Sequence, residues 1–222
     1  MNWRLLLELY KKGIKIPGIL LKFLDGYDTV RHPTYYVEEI VKDDDSLKEY
    51  KFVMLRLLMS GRKITYYDYL GLVGLNSLDM SQNCCILTEG VSDFMSLKLM
   101  VMSLYEAEVR DKDIQTTGSN ISEVIKDRSE SVRFKQGGTR RICTNVLGVT
   151  RLSGDSNARK LLCSLFDNYI IMTDSDKTGI SNANNFRQWL VNHGKRVKII
   201  LPTLGCKDIS DEFVETHKYY YD

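Results

Sequence analysis

Three short acidic stretches hold the residues of this chain best equipped to do chemistry. They are Thr88-Glu89-Gly90-Val91-Ser92-Asp93, Thr173-Asp174-Ser175-Asp176-Lys177-Thr178-Gly179 and Gly205-Cys206-Lys207-Asp208-Ile209-Ser210-Asp211. Carboxylates gathered at one place repel one another and cost stability unless a cation sits among them. Magnesium suits such a set, because it takes hard oxygen ligands, keeps several waters and binds through one or two carboxylates plus substrate phosphates. Asp174 and Asp176, two residues apart, fit that requirement. A pair of such ions can activate an attacking hydroxyl and steady a leaving oxygen in phosphoryl or nucleotidyl transfer. Glu89 is a candidate metal ligand or general acid-base group beside them. Gly90 and Gly179 let backbone approach phosphate, and each precedes a predicted helix whose N-terminus favours anions.

Taken one at a time, these acids have plainer uses. Asp174 or Asp176 could cap the helix that follows, Asp208 and Asp211 could cap a C-terminal helix, and Asp93 could be a first-turn acid. Their joint placement argues for a site, since two clusters come directly after an apolar run and the third follows one and Pro202. Those runs are Cys84 to Leu87, Tyr169 to Met172 and Val197 to Leu201. Open α/β sheets bind ligands at the carboxyl ends of their strands.

The elements that must hold the clusters follow from periodicity. From Asn83 onward, short apolar runs alternate with amphipathic stretches at Ser92 to Leu104, Asn157 to Phe166 and Ile180 to Asn192, with a further strand at Asn145 to Thr150. The order β-α-β-α-β-α-β predicts an α/β layer with a mostly parallel sheet flanked by helices. A polar segment, about 106–141, interrupts it, and a structureless loop of that length is unusual in a compact domain. It is expected to be either a partly helical insertion around Ile121 to Ile125 or a mobile flap.

Before that layer, residues 1–81 read as a smaller α+β module, which leaves residues 82–222 for the α/β domain. Trp3 to Leu24 is expected to form two short helices cut by Gly13, Pro17 and Gly18. The stretches Thr29 to Val41 and Phe52 to Tyr69 are β-prone, with a charged hinge, Lys42 to Lys51, between them. Arg62 and Lys63, beside Tyr66, Tyr67 and Tyr69, could neutralise or stack on nucleic acid, or could belong to an ordinary aromatic sheet edge. Lys135, Arg140 and Arg141, around Gly137-Gly138, form the one locally basic stretch and read either as a nucleic-acid contact or as a solvated loop.

Bulk composition sets wider bounds. The chain has 222 residues, 43% of them hydrophobic, enough for a sizeable core, and its net charge of +2 does not by itself identify a polyanion partner. Lys11, Lys12 and Lys15 break the first apolar stretch, so neither a secretory signal nor a membrane span is predicted and the cytoplasm is the expected compartment. Five cysteines without a Cys-x-x-Cys pair read as reduced, mostly buried thiols rather than a zinc ribbon.

Cys85-Ile86-Leu87-Thr88-Glu89-Gly90 with Asp93, followed by Ile171-Met172-Thr173-Asp174-Ser175-Asp176 with Gly179, resembles the motif pair of the Toprim family. That catalytic domain is shared by primases, topoisomerases and several nucleases. The resemblance runs from about Asn83 to Phe213, and Asn145 to Thr150 with Gly148 matches the intervening strand and its glycine. Pro202 followed by Lys207-Asp208-Ile209-Ser210-Asp211 is similar to the ending found in phage-type primases. The resemblance implies a DNA primase: a DNA-directed RNA polymerase that makes short primers on single-stranded DNA from NTPs, with two Mg2+ or Mn2+ ions. It implies Glu89, Asp174 and Asp176 as the catalytic metal site, with Asp93 and Asp208 as supporting ligands. Gly90, Lys177, Gly179 and Lys207 are then the candidate phosphate contacts. The same acids would serve a Toprim nuclease or RNA-processing phosphodiesterase, and a non-catalytic replication accessory subunit is a third possibility. A topoisomerase is disfavoured by the absence of room for strand-gate domains. This sequence has no cysteine-histidine cluster for a primase zinc domain and no helicase segment, so either those roles, a replicative helicase and a zinc-binding primase subunit, fall to other chains or the protein serves a use other than priming.

Overall fold

The computed structural model describes residues 3–24, 34–43, 48–57, 63–67, 71–109, 120–149, 156–203 and 205–221. The chain opens with helix α1 (Trp3–Lys11), which buries Leu5, Leu6 and Leu9 at helical spacing. Gly13, at φ 77°, ends it, and the amides of Gly13 and Ile14 turn back to the carbonyls of Tyr10 and Leu9. The second helix expected before Leu24 is instead strand β1 (Leu20–Leu24). Pro17 and the left-handed Gly18 reset the chain direction, and the apolar run that remains is too short to distinguish helix from strand by period. Its register with a neighbour, Leu20 opposite Glu38 through Leu24 opposite Thr34, decides the outcome.

That neighbour is β2 (Thr34–Asp43), which continues through β3 (Lys48–Leu57) and β4 (Lys63–Tyr67) into an antiparallel sheet of order β1-β2-β3-β4. Of the charged hinge expected at Lys42 to Lys51, the described residues 42–43 and 48–51 are strand, with Lys42 opposite Glu49 and Asp43 opposite Lys48 in the register. Arg62 lies outside the described residues.

A joint links this sheet to the rest. Glu39 on β2 is buried and accepts hydrogen bonds from the backbone amides of Gly74 and Asn76, both at 2.7 Å. Burial raises its pKa, and the two amides oppose that rise. Gly74 must be glycine: its φ is 106°, and a Cβ there would sit 2.5 Å from the Phe94 ring and 2.7 Å from the Val146 carbonyl.

The second sheet has the order β11-β10-β6-β9-β5, formed by β5 (Leu72–Val73), β6 (Cys84–Glu89), β9 (Val146–Val149), β10 (Asn168–Met172) and β11 (Arg196–Ile200). Its four longer strands are parallel, and β5 adds an antiparallel edge to β9. Alternate residues feed two cores. Cys84, Ile86, Ile170 and Met172 face α2 (Val91–Val109) and α6 (Ile209–Tyr221), while Cys85, Leu87, Tyr169 and Ile171 face α4 (Ser156–Leu165) and α5 (Lys177–Asn192). The fold is thus α/β, with a mostly parallel sheet flanked by helices, as expected. No described helix is long and apolar enough to cross a membrane.

The polar insertion is the helical alternative of the two expected, and more. Helix α2 runs on to Val109, α3 spans Asn120–Ser131, and a hairpin follows, β7 (Arg133–Gln136) with β8 (Thr139–Ile142). Gly137 and Gly138, at φ 58° and 84°, make the two-residue turn that suits strand twist. All five cysteines are free thiols, and Cys84, Cys85 and Cys143 are buried.

Candidate active site at the carboxyl edge of the sheet

Strand order fixes where a ligand belongs. The chain leaves β6 toward β9 through α2 on one face, then crosses back to β10 and on to β11 through α4 and α5 on the other. The connections diverge between β6 and β10, and this topological switch point opens a crevice at the strands' carboxyl ends. Register puts Thr88 opposite Met172 and Met172 opposite Ile200, so the three acidic clusters emerge side by side at one edge.

Glu89, the last residue of β6, is half-buried, and the Thr173 hydroxyl donates to its Oε2 at 3.4 Å. Gly90, at φ 95°, turns the chain into α2 while its amide reaches the Val149 carbonyl at 3.1 Å. Asp174 is half-buried just beyond β10. Burial raises its pKa first, the carboxylates of Glu89 and Asp208 raise it further, and Lys207 partly offsets them. Mutual repulsion of this kind marks a place where added positive charge lowers the energy.

Two contacts bind the neighbouring loops into one unit. The Ser175 amide donates to the Lys207 carbonyl at 2.8 Å, and its hydroxyl lies 3.2 Å from the Cys206 carbonyl and 3.1 Å from that of Lys207. The residue between the two aspartates, which sequence reasoning passes over, therefore holds the Lys207-Asp208 loop against the Asp174-Asp176 loop. Gly179 is packed against the same strand end, where a Cβ would meet the Asp174 carbonyl at 2.8 Å and the Asp174 Cβ at 2.9 Å.

The plainer capping roles are also present. Asp176 caps α5, its Oδ1 accepting from the Gly179 amide at 2.8 Å, and Asp208 receives the Asp211 amide at 2.7 Å at the start of α6. Asp93 is only 8% exposed and spends Oδ1 on the Ser210 amide and hydroxyl, at 3.1 and 2.6 Å, joining α2 to α6. Lys177 and Lys207 are exposed beside these loops.

The basic stretch is not brought to this edge. Gln136, next to the hairpin turn, bonds the Ser81 carbonyl and the Asn83 amide, which precede β6. The tip of the hairpin therefore lies at the opposite end of the sheet, about five strand rises or ~17 Å from Glu89. Lys135 and Arg141 are exposed there, and Arg140 pairs with Glu130 at 3.0 Å. Lys63 lies on β4, in the other sheet.

Among the described residues, no three histidine, cysteine or acidic side chains stand close enough to enclose a metal ion. The donor set still fits magnesium, which is satisfied by one or two carboxylates and completes its shell with water and phosphate oxygen. Burial first, then the charges of Glu89 and Asp208, raise the pKa of Asp174, and Lys207 only partly offsets them, so a cation is the natural complement to this edge.

Asp93 yields a first prediction. Burial, with a further push from Asp208 and against the Ser210 hydrogen bonds, raises its pKa to about 6. The folded protein then binds this proton more tightly than the unfolded chain does. Stability on this account falls as pH rises from about 4 to about 6, and the penalty is complete above that. Asp93→Asn retains an acceptor for Ser210 and removes the charge. Thermal melts should place it above the parent at pH 7 by about 1–3 kcal/mol and level with it near pH 4. A variant destabilised equally at both pH values would show that the charge is not the issue.

No family model matches the chain, and no curated protein does. Among solved structures it is similar to the catalytic core of the E. coli primase, at 13% identity and a TM-score of 0.48 over 81% of this chain and 48% of that one. It is also similar to a DnaG primase catalytic domain bound to single-stranded DNA, at 13% identity and a TM-score of 0.46, covering 83% and 50%. A third is the Aquifex aeolicus primase with its zinc-binding and RNA polymerase domains, at 16% identity and a TM-score of 0.47, covering 99% and 49%. The chain spans about half the length of these structures.

Proposed function

We propose that this chain is a Toprim-type, primase-like nucleotidyltransferase that joins NTPs into short RNA primers on single-stranded DNA during replication. The observation that carries the reading is the placement of Glu89, Asp174 and Asp208 at the carboxyl ends of adjoining strands beside the switch point, where burial and then the charges of Glu89 and Asp208 raise the pKa of Asp174. Glu89, Asp174 and Asp176 are the proposed holders of two Mg2+ or Mn2+ ions, each ion taking one or two of these carboxylates and completing its shell with water and phosphate, with Asp208 alongside. Bound ions would supply charge neutralisation at the phosphates and lower the pKa of a coordinated hydroxyl.

The chain's own groups orient and charge-match the substrate. Lys207 and Lys177, with the amides at the start of α5, face the triphosphate, and Gly179 keeps that helix close to Asp174. Glu89, held by the Thr173 hydroxyl, accepts the proton of the attacking 3′-hydroxyl. That oxygen bonds to the α-phosphorus as the bond to pyrophosphate breaks. The hairpin cations Lys135, Arg140 and Arg141, far from the acids, would contact template backbone only at a distance from the reacting centre. A replicative helicase and a separate zinc-binding primase subunit are the proposed partners, acting in the cytoplasm.

The test is incubation of the protein with single-stranded DNA, labelled NTPs and Mg2+ or Mn2+, with products resolved on a denaturing gel. Short RNA that depends on template and metal is expected. Shortened DNA without synthesis would replace this reading with a nuclease, and binding without either product would replace it with an accessory role.

A further inference from the structure

The polar insertion carries a buried ion pair that the proposed chemistry does not use. Arg128 on α3 and Glu212 on α6 have side-chain exposures of 1% and 0%. The guanidinium grips the carboxylate with both arms, Nε to Oε1 at 2.8 Å and Nη2 to Oε2 at 2.6 Å. Such a pair seldom adds stability over apolar residues of the same size, because removing two charges from water costs about what their attraction returns. Packing alone does not account for it.

Its remaining contacts point to a use. Arg128 Nη2 reaches the Leu201 carbonyl at 3.4 Å, and Nη1 lies 3.7 Å from the Met172 sulfur. Glu212 Oε2 also accepts the Thr203 amide at 2.8 Å. Leu201 and Thr203 open the loop that ends in Lys207 and Asp208, and Met172 is the last residue of β10, two before Asp174. The loop is thus held at its start by Arg128 and Glu212 and at its finish by Ser175. An apolar pair could fill the space but could not bind the backbone at either Leu201 or Thr203.

We infer that Arg128 and Glu212 are positioning residues: through their buried pair, the inserted helix α3 sets the loop that presents Lys207 and Asp208 to Asp174. The inference rests on reading that acidic cluster as the active site. The insertion is then a strut built behind the site.

The double variant Arg128→Met/Glu212→Leu replaces the pair by apolar side chains of similar size, and Arg128→Lys keeps the charge while losing the two-armed grip. Amide hydrogen exchange, Mn2+ titration and primer synthesis are measured on each variant and on the parent. In the double variant, exchange at Thr203 and Cys206 should accelerate while amides in α4 and α5 keep parental rates. Mn2+ affinity should fall by about tenfold or more, as for other groups that orient metal ligands. Turnover should fall with it, the KM for DNA staying unchanged, and Arg128→Lys should lie between the two. Loop exchange unchanged from the parent, or accelerated equally throughout α4 and α5, would overturn the strut. Should the double variant not fold, Arg128→Lys decides by the same exchange pattern. A parent that binds Mn2+ and makes no RNA would remove the polymerase reading alone, with the strut judged on exchange and metal affinity.

Discussion

Asp174→Asn is expected to abolish primer synthesis, lowering turnover by more than about a hundredfold while leaving the fold intact. Asp174 is half-buried and has the carboxylates of Glu89, Asp208 and Asp176 acting on it, so its negative charge is what an added cation would answer. Asparagine keeps nearly the same shape and removes that charge, so repulsion at the edge falls and the melting temperature should hold or rise. Asp176→Asn adds a useful contrast. Asparagine caps helices as well as aspartate does, so the bond to the Gly179 amide survives while the proposed metal charge is lost. The measurement is the gel assay beside a thermal melt for each variant. Unimpaired synthesis by the Asp174→Asn variant would remove the metal-site proposal, and loss of activity accompanied by unfolding would fail to support it.

Gly179→Ala should injure activity more than stability. Alanine is the better helix former by about 1 kcal/mol, and on propensity alone this change in the first turn of α5 would strengthen the protein. The space opposes it. A Cβ would stand 2.8 Å from the Asp174 carbonyl oxygen, 2.9 Å from the Asp174 Cβ and 3.0 Å from Thr173 Oγ1. Two of these atoms are fixed by the backbone at the end of β10, so relief requires the helix and the strand end to part. Overpacking costs about 1–3 kcal/mol, which leaves a modest net loss after the helical gain. Displacement of Asp174 by even ~1 Å is the larger effect, because misplacement of that size can cost about a hundredfold in rate. The expected variant melts within a few degrees of the parent and synthesises about a hundredfold more slowly. An alanine variant more stable than the parent and equally active would mean that the helix does not set the position of Asp174.

Much of this arrangement is legible from residue patterns, and the reasons are local. The strand runs ending at Leu87 and Met172 are apolar because central parallel strands are buried on both faces, and the acids after them stand out for that reason; the run ending at Leu201 carries Lys198 because β11 is a half-exposed edge strand. Strand order is not local: the crossover rules leave few arrangements, but the pairing of β10 with β6, which brings Glu89 beside Asp174, is read only from the register. What the residues alone do not announce lies in pairings across long separations. Leu20 to Leu24 could be either helix or strand until β2 lies beside it. Arg128 and Glu212 are 84 residues apart, and each reads as one more charge on a solvated helix. Ser175 is hidden inside Asp-x-Asp because its work is done through the backbone carbonyls of Cys206 and Lys207. The place of the basic hairpin is likewise set at long range: Gln136 ties Lys135, Arg140 and Arg141 to the chain before β6, at the end of the sheet away from the acids.

Capping by Asp176 and Asp208 is compatible with the metal role proposed for the same acids. Asp176 and Asp208 each spend an oxygen on a helix start, which pins their side chains at the edge where a cation would meet them. Preorganisation of this sort spares the ordering cost that free carboxylates would bear on binding.

A Mn2+ titration followed by electron paramagnetic resonance, on the parent protein and on the Asp174→Asn variant at pH 7.5, decides whether the switch-point acids hold a cation. The parent should bind saturably, more tightly when NTP is present, and the variant at least about tenfold more weakly. Equal affinity in the two proteins, or no saturable binding with NTP present, would contradict the assignment of the switch-point acids as a site for divalent cations.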